Sequence, residues 1–123
     1  MTIDTNIVIA YLKGEETIVQ TILRWREDRR PFFLSSVAEA EVLAFSGFTE
    51  EEFRTTERFL EENFTAVVFD RPLARIAAAV RRDTKIKFPD AAIAATAMAT
   101  RTPLVTRNVR DFKRITGLQI LTL

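Results

Sequence analysis

The sequence predicts an α/β fold: a central parallel β-sheet of about five strands flanked by helices, in a single domain spanning residues 1–123. Two observations carry this. Short apolar runs at Met1–Ile3, Phe32–Leu34, Ala66–Phe69, Leu104–Val105 and Leu118–Leu121 are strand-sized and separated by helix-length segments, and strands alternating with helices build a parallel sheet covered by helices. The chain of 123 residues, 47% hydrophobic with ten Phe and one Trp, has enough apolar mass for one core and no Pro/Gly/Ser-rich linker, repeat or low-complexity tract to divide it.

The elements follow in order. Met1–Ile3 is the first strand, and Asp4-Thr5-Asn6 turns the chain into a helix-like run from Ile7 to Leu12. Phe32–Leu34 leads into Ser36-Val37-Ala38-Glu39, a capping-box pattern in which the serine oxygen takes a free amide and Glu39 reaches back to the cap. Ala66–Phe69 precedes Asp70-Arg71-Pro72, which opens a helix to about Asp83, with Pro72 in the first turn where its missing N–H is harmless. Pro89-Asp90 opens the alanine-rich run Ala91–Ala99, whose small side chains let a helix lie close against the sheet. Leu104–Val105 and Leu118–Leu121 complete the sheet. Trp25, Phe48, Phe53 and Phe59 lie on helical segments, where core burial is the ordinary fate of aromatics and a groove or dimer contact the alternative.

The chain has no His and no Cys, which removes a Ser-His-Asp triad, a thiolate nucleophile and the usual zinc sites. Catalysis must use carboxylates, hydroxyls, Lys, Arg, Tyr11 or a metal held by oxygen. No apolar run reaches the roughly 20 residues that cross a bilayer, and the N-terminus lacks a signal-peptide pattern, so a soluble cytoplasmic protein is expected. The formal net charge of +1 is unevenly spread. Glu50–Glu62 holds six glutamates against Arg54 and Arg58, while basic clusters occur at Arg24, Arg26, Arg29 and Arg30, at Arg81, Arg82, Lys85 and Lys87, and at Arg101, Arg107, Arg110, Lys113 and Arg114. Such clusters suit a polyanion or are simply solvated helix faces.

Acidic residues return at four element ends. Asp4 follows the first strand, Glu41 lies one turn into the helix after the second, Asp90 begins a helix, and Asn108 and Asp111 follow the fourth strand. All point to the carboxyl edge of the sheet, where open α/β folds place their sites. Each has a structural reading: Asp4 as a helix cap, Asp90 as a first-turn acid favoured by the helix dipole, and Asn108-x-x-Asp111 as a cap with a third-position acid. Glu41 is spaced within an apolar stripe between Val37 and Phe45, and Glu39 is assigned to capping. Asp70 and Asp83 read as a cap and a surface partner for nearby bases. Carboxylates crowded at one edge repel one another unless a divalent cation neutralises them, and Mg2+ or Mn2+ is the expected occupant.

The segments Ile3–Ile9, Leu34–Val42, Pro89–Ala97 and Leu104–Phe112 together resemble PIN-domain ribonucleases, and among them the VapC-type toxins of toxin–antitoxin pairs. The resemblance implies a metal-dependent endoribonuclease with an acidic active site, leaving 5′-phosphate and 3′-hydroxyl ends. Carried over by position, the catalytic and metal-binding residues are Asp4, Glu41, Asp90 and Asp111. Where many members carry an earlier acid this chain has Asn108, which leaves the second metal open. Asn6 and Thr106 are placed to orient the carboxylates, with Asn108 beside them. The resemblance also implies an RNA substrate, a small VapB-like antitoxin and a homodimer.

Three other readings stand beside this. A PIN nuclease in RNA processing would need no antitoxin, and a non-catalytic PIN-like module would bind RNA or protein without cleavage. A phosphoacceptor receiver domain has the same size, with Asp70 after an apolar run, but the first strand offers one acid where a receiver needs a pair, and no lysine follows the fifth strand.

Overall fold

Strands of two or three residues make few ladder hydrogen bonds, so the sheet here depends on all its strands being paired and covered. The computed structural model describes residues 1–123. In chain order the elements are β1 (Thr2–Ile3), α1 (Thr5–Leu12), α2 (Glu16–Glu27), β2 (Phe33–Ser35), α3 (Ser36–Leu43), α4 (Glu50–Asn63), β3 (Thr65–Val67), α5 (Arg71–Thr84), α6 (Phe88–Thr100), β4 (Leu104–Thr106), α7 (Val109–Phe112) and β5 (Ile120–Thr122). The five strands run parallel in the order β3-β2-β1-β4-β5. The chain moves outward from β1 to β3, then returns to build β4 and β5 on the other side. The β1/β4 seam is therefore the switch point, where open parallel sheets form crevices. This order also excludes the receiver arrangement, in which the sheet runs 2-1-3-4-5; β3, which precedes Asp70, is an edge strand here.

Helices from both halves cover the sheet, with α1 on β4, α3 on β2, and α6 on β1, β2 and α5. Ala91, Ala92, Ala94 and Ala95 in α6 are fully buried, which is why a run of small residues is needed there. Ile3, Ile7, Leu34, Ile93, Leu104, Val105 and Phe112 fill the centre. Trp25 and Phe59 pack against this core, Trp25 edge-on to Phe32 and Phe59 stacked on Tyr11. Phe48 and Phe53 instead form a separate half-buried cluster with the exposed Phe45.

Several boundaries and caps differ from expectation. β2 extends to Ser35, whose side chain caps α3 through the Val37 N–H at 3.1 Å, so Ser36 is not the cap and Glu39 makes no capping box. Ser36 Oγ instead accepts from the Phe69 N–H at 3.1 Å, which holds the exit of β3. The capping box lies at Thr49 and Glu52, with reciprocal bonds of 3.1 and 2.9 Å. β3 and β5 are displaced to Thr65–Val67 and Ile120–Thr122 because pairing with β2 and β4 sets their registers. Asp70 caps α5 as expected, at 3.2 Å from the Leu73 N–H, whereas Asp83 is exposed and makes no ion pair.

Ala94→Leu is expected to destabilise the protein by about 1–3 kcal/mol, because the side chain has no room between helix and sheet. Urea unfolding checks this, and an unchanged midpoint would contradict the close approach of α6.

Candidate active site at the carboxyl edge of the sheet

Parallel pairing of Thr2 with Leu104 and Ile3 with Val105 brings the next residues, Asp4 and Thr106, side by side at the end of the seam. The Asp4 N–H continues the ladder to the Val105 carbonyl at 3.0 Å. Asp4 is 4% exposed and both its carboxylate oxygens are engaged. Oδ1 accepts from the Thr5 N–H at 2.7 Å and Oδ2 from the Thr106 hydroxyl at 2.6 Å. Asp4 is thus the α1 cap, but the bond to buried Thr106 adds a fixed rotamer that capping alone does not require. Two hydrogen bonds leave a carboxylate with further lone pairs free.

Thr106 is the hub of a larger network. Its Oγ1 accepts from the Asn108 N–H at 2.9 Å and lies 3.5 Å from Asn6 Nδ2. Asn6 Oδ1 in turn lies 3.5 Å from the Arg107 N–H. Asn108 stands at the N-cap of α7 but its side chain makes no capping bond; its Nδ2 donates to Asp111 Oδ2 at 3.1 Å. Thr106 thus bonds Asp4 directly, Asn6 reaches Asp4 only through Thr106, and Asn108 bonds Asp111.

Glu41 departs from the sequence reading. α3 ends at Leu43, so Phe45 lies beyond the helix, and the buried stripe runs through Ala38 and Val42. Glu41 is on the exposed flank. Its Oε1 accepts from the Thr5 hydroxyl at 2.8 Å, which ties it to the residue after Asp4. Asp90 is half-buried in the first turn of α6.

Electrostatics link the four carboxylates. The Asp4 pKa is pushed up to about 6, chiefly by burial; the bonds from Thr106 and Thr5 oppose this, and the charges of Asp90 and Glu41 add to it. Asp90 is raised above the usual carboxylate range by burial and then by Glu41 and Asp111, against a lowering pull from Lys87. No group of three or more carboxylates lies close enough together to hold a metal ion in this arrangement, and the acids form an open edge. The donors at this edge are all carboxylate and hydroxyl oxygens, the chemistry that a hard divalent cation takes. Sequence reasoning missed the Glu15–Arg107 ion pair on the rim, whose residues are 92 apart in the chain.

The chain is thus an open parallel α/β protein with a buried aspartate at its switch point, within electrostatic reach of Asp90 and Glu41, and with Asp90 within reach of Glu41 and Asp111. The model of the PIN domain family matches residues 1–118, and the chain belongs to that family. Among solved structures it is similar to a toxin–antitoxin complex from Klebsiella pneumoniae, at 30% identity and a TM-score of 0.80, covering 98% of this chain and 95% of that one. VapBC2 from Rickettsia felis bound to a promoter DNA fragment gives 22% identity and a TM-score of 0.85, covering 99% and 97%. VapBC-1 from nontypeable Haemophilus influenzae gives 24% and 0.81, covering 98% and 96%; these two likenesses are of fold. Comparison with curated proteins gives no match.

The raised Asp4 pKa has a signed consequence. Between pH 3.8 and about 6 the folded protein holds a proton that the unfolded chain has released, so stability falls as pH rises through that window. The full effect is about 3 kcal/mol and persists above it. In chelator, Asp4→Asn is expected to gain stability relative to wild type as pH rises from 4 to 7. Urea unfolding across that range checks it, and a pH-independent difference between the two proteins would refute the assignment.

Proposed function

We propose that this protein is a Mg2+- or Mn2+-dependent endoribonuclease and the toxin of a VapBC-type pair. One observation carries the reading: a buried aspartate, fixed by two hydrogen bonds at the switch point of a PIN domain, has its pKa raised by burial and further by the charges of Asp90 and Glu41. Such an arrangement costs folding free energy without a cation and serves chemistry with one.

Asp4, Asp90 and Asp111 are the proposed metal ligands. Thr106 holds the Asp4 carboxylate and Asn108 holds that of Asp111, so both present fixed oxygens. A bound Mg2+ or Mn2+ supplies Lewis acidity toward a phosphodiester and lowers the pKa of water for in-line attack. Glu41, on the exposed flank and bonded to Thr5, would orient an attacking water or help hold a second ion. Exposed Lys87 and Arg110 flank the acids and would steer the RNA backbone.

The antitoxin partner is supported by the toxin–antitoxin complexes among the structural relatives. An apolar surface also adjoins the site: Phe88, two residues before Asp90, is 46% exposed and meets Phe69 edge-on at 5.5 Å beside the 68% exposed Val68. A homodimer completes the proposed assembly. No helix is long and apolar enough to cross a membrane.

Purified protein is expected to cut a mixed RNA pool in Mg2+ or Mn2+, with no cleavage in chelator. Asp90→Asn should lower the rate about 100-fold or more, since even loss of an outer-shell partner costs 10–100-fold. Cutting that survives Asp90→Asn would displace Asp90 from the site, and RNA binding without cutting in either metal would favour a non-catalytic module.

A further inference from the structure

Three consecutive residues at the end of β4 are each held by a different part of the chain. Thr106 is bonded to Asp4, Arg107 is held by Asn6 and Glu15, and Asn108 is bonded to Asp111. The Arg107 contact is two-pronged: Nη1 donates to Glu15 Oε1 at 3.2 Å and Nη2 to Oε2. Planar bidentate pairing fixes direction as well as distance, which a lysine in the same place would not do.

Glu15 is oriented toward this contact. It occupies the N-cap of α2 without making a side-chain capping bond, which leaves its carboxylate free for Arg107. Gly14, at a φ of +75°, turns the chain between α1 and α2 and delivers Glu15 to the rim. Both partners are about 40% exposed, and exposed pairs contribute little to folding.

We propose that Glu15 and Arg107 are positioning residues, a clamp that fixes the β4–α7 turn so that Asp111 is held toward Asp4 and Asp90 for cation binding. The proposal rests on the nuclease reading above and adds two residues to it. Without the clamp the turn keeps its Thr106 bonds and the buried Phe112 as anchors, but the Arg107 side chain no longer fixes the direction in which the chain leaves β4.

The test is Mn2+ binding to the full chain, followed by electron paramagnetic resonance without RNA, in wild type, Glu15→Gln, Arg107→Lys and the charge-exchanged Glu15→Arg/Arg107→Glu double variant. Thermal midpoints and RNA cleavage are measured in parallel. Glu15→Gln and Arg107→Lys are expected to weaken Mn2+ binding about 10-fold, within the range for partners that orient metal ligands, with thermal midpoints nearly unchanged. The double variant should recover most of that affinity. Wild-type affinity in both single variants overturns the clamp while leaving the nuclease reading intact. Unchanged Mn2+ binding with tighter RNA binding in Glu15→Gln also overturns it, because Glu15 would then be masking Arg107 from phosphate. A wild-type protein that binds no Mn2+ and cuts no RNA overturns both readings.

Discussion

The 2.6 Å hydrogen bond from the Thr106 hydroxyl to Asp4 is the contact around which the candidate site is organised. It exists because β1 and β4 pair in a register that sets position 4 beside position 106. A slip of one residue in either strand would turn that strand's side chain to the other face of the sheet and separate the pair. From this bond the network spreads to Asn6, Asn108 and Asp111. The seam is also the switch point, so one pairing defines the centre of the sheet, the crevice and the orientation of its most buried acid.

Stability and chemistry oppose each other at this edge. A carboxylate as buried as Asp4 is disfavoured in its charged form, and its neighbours Asp90 and Glu41 increase the penalty. Thr5 and Thr106 offset part of it, and no buried side-chain polar atom is left without a partner. The remaining repulsion is the property that a divalent cation relieves. The alanine-rich α6 serves the same end, because its close approach to β1 and β2 carries Asp90 to the edge. Packing and electrostatics are thereby coupled through one helix.

Much of the architecture was legible in the chain. Five apolar runs marked the strands, and Asp70-Arg71-Pro72 and Pro89-Asp90 marked two helix starts correctly. Helix ends were harder to read because the sequence has only three glycines. α5 and α6 end instead on Lys85 and Arg101 in the left-handed region, positions normally marked by glycine. The Ser36-x-x-Glu39 pattern misled because β2 runs one residue further, making Ser35 the cap. That error gave Glu39 a role it does not have. Glu41 kept its place near the site through the Thr5 bond rather than through burial.

Local sequence determined the class of fold, the candidate acids and the exclusion of histidine and cysteine chemistry, because periodicity, caps and residue types act over a few neighbouring positions. Tertiary structure decided which acids are buried, which are exposed and what orients them. Asp4 and Thr106 are 102 residues apart and Glu15 and Arg107 are 92 apart, and no local pattern encodes such pairs. They follow from strand order and register, which are set by the whole core condensing at once.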